Sequence, residues 1–253
     1  MFFITNICRN WSATYCNEQN FRAITVACPA LENGDTVFLP RDAEGRAIVE
    51  KIVEDVVAAE GQVFLGWRDV PVDPSGLGES VKPTEPVHKQ IFIQRGANAP
   101  DQDVFERKLF LLRKVISNTV YNLNDKRTKG FYPVSLSSRT LVYKGMVTTL
   151  QLEPFYPDLS NELFSSRLAL VHSRYSTNTF PSWPLAHPFR FVAHNGEINT
   201  VQGNRNWMSA RSSQLASEAL GDLKQLLPIV TAGGSDSASF DEVLELLYLG
   251  GRT

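Results

Sequence analysis

Hydrophobic residues recur at helical spacing in four stretches of the chain. In residues 42–60 isoleucines and valines form one broad apolar face, which consists of Ile48, Ile52, Val56 and the valine that follows each of them. The same period appears in residues 101–118, 204–220 and 237–249. We therefore predict four helices. Gly61 supplies a stop for the first, and Ser235-Asp236-Ser237 supply capping candidates for the last.

Shorter stretches rich in β-branched and aromatic residues predict strands. They comprise residues 62–72 and 88–94, a bent strand or strand pair at 140–150, and two short apolar runs at 166–172 and 189–194. Each of the two short runs ends in a polar cluster. Because strands and helices occur in blocks, without strict alternation, we predict an α+β fold and not a doubly wound α/β fold.

Composition narrows the classes of function. The net charge of −2 is unlike the basic excess of a nucleic-acid-binding or membrane-surface protein. Cys8, Cys16 and Cys28 are odd in number and lack CxxC spacing, which indicates neither a disulfide framework nor a zinc site. The chain shows no signal-peptide pattern and no apolar run of membrane-spanning length. We expect an intracellular protein without a bound metal.

Three polar clusters follow or precede predicted elements in the C-terminal third: residues 172–177, 194–197 and 233–237. Arg174 offers a bidentate fork for a carboxylate, and Asp236 offers a carboxylate to an ammonium group. The Asn-Gly pair in the middle cluster presents two N–H donors that can stabilise an oxyanion. Together these groups describe a pocket for an amino acid that undergoes acyl transfer at its side-chain amide.

Each cluster also has an ordinary structural interpretation. Asn-Gly is typical of a hairpin turn, an arginine after a strand is typical of a surface ion pair, and Ser-Asp-Ser before a helix is typical of an N-cap. A hydrolase that uses Ser235 or Ser237 with His172 or His194 is a further alternative, although the chain lacks the GxSxG motif of a nucleophile elbow.

A long run supports the chemical interpretation. Residues 174–208, RYSTNTFPSWPLAHPFRFVAHNGEINTVQGNRNWM, resemble the class II glutamine amidotransferase domain of the glutamate synthase large subunit. Residues 66–73 (GWRDVPVD), 137–147 (SSRTLVYKGMV) and 233–240 (GGSDSASF) fit the same family. The connection TFPSWPLAHPF is what points to glutamate synthase among the class II amidotransferases.

The resemblance implies a role for each matching residue. Arg174 would hold the α-carboxylate of L-glutamine with help from Thr177, and Asp236 would hold its α-ammonium group. Asn195 and the backbone N–H of Gly196 would form the oxyanion hole, whereas Tyr175 and Asn178 would line the same wall. The implied fold is an incomplete αββα sandwich of the N-terminal nucleophile hydrolase type.

The chain departs from the family at its start. The family uses an N-terminal cysteine followed by glycine, whereas Arg9, Asn17 and Pro29 follow the three cysteines of this chain. We therefore expect a domain truncated at both ends, which lacks a recognisable nucleophile and is inactive alone. The predicted domain covers residues 37–253, and residues 1–36 are an unmatched segment that is either disordered or frame-shifted.

The function implied by the resemblance is glutamine hydrolysis to glutamate and ammonia for reductive transfer to 2-oxoglutarate. FMN and an iron–sulfur cluster would belong to the full-length enzyme, and none is expected in this segment. The implied partners are L-glutamine, the remaining synthase domains and a small reductase subunit, in the cytoplasm or a plastid stroma. The alternative is a non-catalytic glutamine- or glutamate-binding remnant or regulatory module.

Overall fold

Four strands form one antiparallel sheet in the computed structural model, which describes residues 35–162, 164, 166, 168–176, 179–194 and 197–252. The strands, in the spatial order β2-β3-β1-β4, are β1 (Asp35–Leu39), β2 (Val63–Asp69), β3 (Val87–Gln94) and β4 (Tyr132–Pro133). The helices are α1 (Ala43–Ala59), α2 (Gln102–Asn122), α3 (Thr149–Phe155), α4 (Val201–Arg211) and α5 (Asp236–Leu249). The predicted α+β class is confirmed.

Side-chain caps begin the three longest helices. Asp42 accepts a hydrogen bond from the N–H of Gly45 at 2.7 Å at the start of α1. Asp101 caps α2 in the same way, and Ser235 caps α5 by accepting from Ala238 at 3.0 Å. Each cap satisfies an N–H group that the first helical turn leaves unpaired. The predicted cap at Ser235 is confirmed.

Helices α1 and α2 cover one face of the sheet. Alternate residues of β1, Val37 and Leu39, point toward these helices, while Phe38 points to the opposite face. The α2 residues predicted to face inward are buried in this core, namely Phe105, Leu109, Leu112 and Ile116. On α1 three residues of the predicted apolar face, Val49, Val53 and Val57, are buried, and the other three, Ile48, Ile52 and Val56, are half-buried beside them.

Helix α3 and irregular chain cover the other face of the sheet, where Phe38 belongs to one cluster with Trp183 and with buried residues between positions 134 and 156. The prediction of strands at 140–150 is wrong, because this stretch is irregular up to α3. Leu141, Val142 and Tyr143 are nevertheless buried there. A strand requires a neighbouring strand to pair its backbone, and among the described residues none lies alongside. These apolar residues are therefore buried although they do not pair in a sheet.

The two short apolar runs are not strands either. At 189–194 the N–H groups of Phe191 and Val192 both donate to the Asp241 carboxylate, at 2.7 and 3.1 Å, instead of to a neighbouring strand. The described residues of 166–172 are likewise irregular. The helix predicted at 204–220 is shorter and begins earlier, since α4 ends at Arg211 and a 3-10 turn follows.

The first strand, β1, begins at Asp35, two residues before the start that we predicted for the domain. Residues 1–34 lie outside the described residues, so the division at residue 37 stays a prediction. None of the helices in the described part of the chain combines the length and the apolar character that crossing a membrane requires.

Candidate functional site

Asp236 occupies the first turn of α5, where the positive end of the helix dipole favours a carboxylate. The residue is buried. Its Oδ1 accepts from the N–H of Ser237 at 2.6 Å and from the Ser237 hydroxyl at 3.2 Å, and its Oδ2 accepts from the N–H of Ile198 at 3.0 Å. Burial raises the pKa of Asp236, but hydrogen bonds from Ile198, Ser176 and Ser237 outweigh it, and the pKa lies below its ordinary value. The carboxylate is ionised at neutral pH.

Hydroxyl groups connect the three polar clusters around this carboxylate. Ser176 Oγ of the first cluster lies 3.0 Å from Ser237 Oγ of the third. Ser237 Oγ also lies 3.1 Å from Nδ1 of His194, which opens the second cluster. The three segments, which are far apart in the sequence, therefore meet in one hydrogen-bonded network, as an amino-acid pocket built from all three requires.

Two further histidines complete the network. The rings of His172 and His187 stack with their centroids 4.5 Å apart, and Nε2 of His187 lies 3.4 Å from Ser176 Oγ. His187 is fully buried, and burial together with the neighbouring His172 and Lys144 lowers its pKa to about 3. This ring is therefore neutral at physiological pH.

The predicted carboxylate-binding arginine, Arg174, has an exposed side chain, and its backbone N–H donates to Nδ1 of His172 at 3.1 Å. The neighbouring Tyr175 packs against the core on the Phe38 face of the sheet and donates to the carbonyl of Gly145 at 3.4 Å. Arg174 thus points outward, Tyr175 points into the core, and Ser176 points into the hydrogen-bonded network. Thr177, Asn178, Asn195 and Gly196 lie outside the described residues. All of these predicted roles stay predictions.

A cavity of about 300 Å³ lies between α4 and α5, and Asp236 forms part of its wall. Arg205 of α4 borders the same cavity. Its guanidinium donates to the carbonyl oxygens of Gly234 and Ser235, at 2.6 and 3.1 Å, and to the Ser239 hydroxyl at 2.9 Å. Arg205 therefore holds the turn that precedes Asp236. Arg174 lies outside the lining of this cavity.

The connecting residues Ser176, His187 and Arg205 were not among the predicted site residues. Ser176 lies inside the cluster of residues 172–177, but no role was predicted for it. Its side-chain direction, into the interior, is set by tertiary packing. His187 and Arg205 follow no motif that hydropathy or spacing could identify.

The alternative of a serine–histidine hydrolase would use the contact between Ser237 and His194. Ser237 is fully buried, and its hydroxyl donates to Asp236, so it is not available to attack an external substrate. The geometry favours a hydroxyl that supports the carboxylate over a nucleophile.

Comparison with known proteins places the chain in a family. Residues 7–253 match the family described as glutamine amidotransferases class-II. The chain belongs to this family. The match begins upstream of the domain start that we predicted at residue 37, and it confirms the resemblance drawn from residues 174–208.

Similar proteins are glutamate synthases. The chain is 46% identical over 219 residues to the glutamate synthase (NADPH) large chain of Bacillus subtilis (strain 168), an alignment that covers 85% of this chain and 14% of that protein. It is 44% identical over 218 residues to ferredoxin-dependent glutamate synthase 2, chloroplastic, of Arabidopsis thaliana, covering 86% and 13%. It is 46% identical over 207 residues to glutamate synthase (NADH) of Saccharomyces cerevisiae (strain ATCC 204508 / S288c), covering 80% and 9%. The chain thus spans only 9–14% of the length of these relatives.

Proposed function

We propose that this chain supplies the glutamine-binding part of the amidotransferase site of a glutamate synthase. The observation that carries the proposal is the convergence of three polar segments on the ionised carboxylate of Asp236. A buried anion at a helix N-terminus, beside a cavity, is suited to bind the α-ammonium group of an amino acid.

The remaining roles follow the class II pattern. Arg174 and Thr177 hold the α-carboxylate, Tyr175 and Asn178 line the wall, and Asn195 with the N–H of Gly196 stabilises the oxyanion. A thiolate attacks the amide carbon of L-glutamine, ammonia leaves, and water releases glutamate from the γ-glutamyl thioester. Cys8, Cys16 and Cys28 lie outside the described residues, and our expectation that none of them is the nucleophile stays a prediction.

The rest of the proposal concerns the longer protein. The described sheet and helices form part of an αββα sandwich of the N-terminal nucleophile hydrolase type. Other synthase domains receive the ammonia and transfer it to 2-oxoglutarate, with FMN and an iron–sulfur cluster bound there and a small reductase subunit as a further partner. We place the enzyme in the cytoplasm or a plastid stroma.

Calorimetric titration with L-glutamine tests the proposal. The chain should bind L-glutamine, and Arg174→Ala should weaken binding about 10- to 100-fold, because a hydrogen bond to a charged group contributes about 1.5–3 kcal/mol. Arg46→Ala is the matched control. Arg46 lies on α1 and donates to the carbonyls of Pro40 and Arg41, so its removal should leave binding unchanged. Equal binding by wild type and Arg174→Ala would overturn the predicted role of Arg174, and an absence of binding by wild type would overturn the proposal.

A further inference from the structure

The hydroxyl of Ser237 has three polar neighbours within the buried network. Its hydroxyl lies 3.2 Å from Asp236 Oδ1, 3.0 Å from Ser176 Oγ and 3.1 Å from His194 Nδ1. The residue is fully buried in the first turn of α5. Three polar neighbours match the hydrogen-bonding capacity of one hydroxyl, which has one donor proton and two acceptor lone pairs.

The direction of each hydrogen bond follows from the ionised carboxylate. Asp236 can only accept, so the single proton of Ser237 is donated to Oδ1. Ser237 Oγ must then accept an N–H from Nδ1 of His194, and the Ser176 hydroxyl lies within hydrogen-bond distance of the same oxygen. Ser176 also hydrogen-bonds the Asp236 carboxylate, so its proton is donated there and its oxygen accepts from Nε2–H of the neutral His187 ring. This tautomer leaves Nδ1 of His187 without a proton, and that atom has no hydrogen-bond partner among the described residues.

The chain of donors therefore runs in one direction, from two histidines through two hydroxyls to one carboxylate. Hydrogen bonds aligned in this way polarise one another and are strongest where the charge is fixed and buried. The same hydroxyl fixes the orientation of the His194 ring, and the residue that follows His194 is the predicted oxyanion donor Asn195.

We propose that Ser237 is a positioning residue, which orients the carboxylate of Asp236 and the ring of His194 relative to each other. It thereby couples the site for the α-ammonium group to His194, which directly precedes the predicted oxyanion donors Asn195 and Gly196 in the sequence. This inference rests on the proposed function, because it assigns the ammonium group of L-glutamine to Asp236. Ser237 itself need not touch the substrate.

A double-mutant cycle with Asp236→Asn tests the positioning role in the full chain, with L-glutamine affinity measured by NMR titration. Ser237→Ala removes one hydrogen bond to a charged group, and we expect it to weaken L-glutamine binding about tenfold. Ser237→Thr keeps the hydroxyl and should restore most of that affinity. In the Asp236→Asn background, Ser237→Ala should change affinity less than about twofold, because residues that act through one another are not additive.

The matched control is Ser117→Ala. Ser117 also lies inside a helix, where its hydroxyl donates to the carbonyl of Arg113 at 2.7 Å, and its loss should leave L-glutamine affinity unchanged. A second readout needs no ligand. In ¹⁵N spectra of the imidazole rings at pH 8, His194 should be protonated at Nδ1 in the wild type and should lose that signature in Ser237→Ala.

The outcomes separate the two proposals. If Ser237→Ala weakens binding by the same factor in both backgrounds, or if His194 keeps its tautomer, the positioning role is wrong although glutamine still binds. A wild-type chain that does not bind L-glutamine overturns the proposed function and, with it, the assignment of the ammonium group to Asp236.

Discussion

At the scale of single residues, two buried histidines, His88 and His187, stay neutral where a solvated histidine would titrate. Burial is the first cause of both shifts and lowers the pKa of each to about 3. Tyr156 donates to the Lys144 carbonyl at 2.8 Å, so its hydroxyl oxygen accepts from Nδ1–H of His88 at 3.2 Å. Four aromatic rings surround His88, namely those of Phe38, Phe155, Tyr156 and Trp183.

These shifts make stability depend on pH. An unfolded histidine titrates near pH 6.5, so between about pH 6.5 and 3 the unfolded chain binds more protons than the folded chain. The contribution of these two histidines to the free energy of unfolding is therefore greatest above pH 6.5 and decreases as the pH falls toward 3. Each such histidine contributes about 1.4 kcal/mol per pH unit well inside that window.

The variant His88→Phe tests this linkage. At pH 7.5 it should lower the free energy of unfolding by about 1 kcal/mol, because the hydrogen bond to Tyr156 is lost. Between pH 6 and 5 its stability should decrease less steeply than that of the wild type, by up to about 1.4 kcal/mol per pH unit. Urea unfolding at a series of pH values measures both quantities. Parallel profiles for the two proteins would contradict the neutral state of His88.

At the scale of elements, the N-terminus of α5 is both a structural feature and the centre of the candidate site. Ser235 caps the helix, Asp236 and Ser237 form its first turn, and Arg205 of α4 holds the carbonyls just before it. A helix end that is fixed from outside presents its first-turn carboxylate in a defined direction.

Removing the caps of α5 and α1 in separate variants distinguishes an effect on binding from a general loss of stability. Ser235→Ala should lower the free energy of unfolding by about 1 kcal/mol, as other N-cap removals do. It should also weaken L-glutamine binding, since the first turn of α5 carries Asp236. Asp42→Ala removes the equivalent cap of α1 and should reduce stability by a similar amount while affinity stays unchanged. Thermal unfolding and calorimetry compare the two variants. Equal L-glutamine affinities of Ser235→Ala and Asp42→Ala would show that the cap of α5 does not order the site.

At the scale of the whole molecule, a buried ionic cluster connects α5 to α2 and to the segment around Arg190. Glu245 of α5 pairs with Arg113 of α2 and accepts from Nε of Arg190 at 3.0 Å. Arg190 also lies 2.8 Å from Asp241, another α5 residue. All four side chains are at least nine-tenths buried, so each charge depends on its partners for compensation.

Glu245→Gln should be among the most damaging single substitutions in the chain. It leaves Arg113 and Arg190 short of one buried negative charge, and removal of one partner from a buried pair typically lowers stability by about 3–5 kcal/mol. The control is Asp55→Asn, which breaks the exposed Lys51–Asp55 pair on α1 and should change stability by less than about 1 kcal/mol. Denaturant unfolding measures both. A small effect of Glu245→Gln would mean that water compensates the charges of Arg113 and Arg190.

Much of this architecture follows from local sequence. Helices α1, α2 and α5 were predictable because period and capping residues lie within one segment, and β2 and β3 because their residue types are strongly β-forming. The chemical character of the candidate site was also visible in the sequence, since an arginine, an Asn-Gly pair and an aspartate fall in short recognisable clusters. These features depend on neighbours a few residues apart.

Tertiary structure decided the rest. Apolar residues within 140–150 and 189–194 become buried without sheet pairing. In the second stretch the acceptor of two backbone N–H groups is Asp241, which comes from elsewhere in the chain. The contacts of Ser237 with Ser176 and His194 span 61 and 43 residues. Hydropathy encodes which side of an element faces the interior. Which distant hydroxyl, ring or carboxylate it meets there depends on how the elements pack.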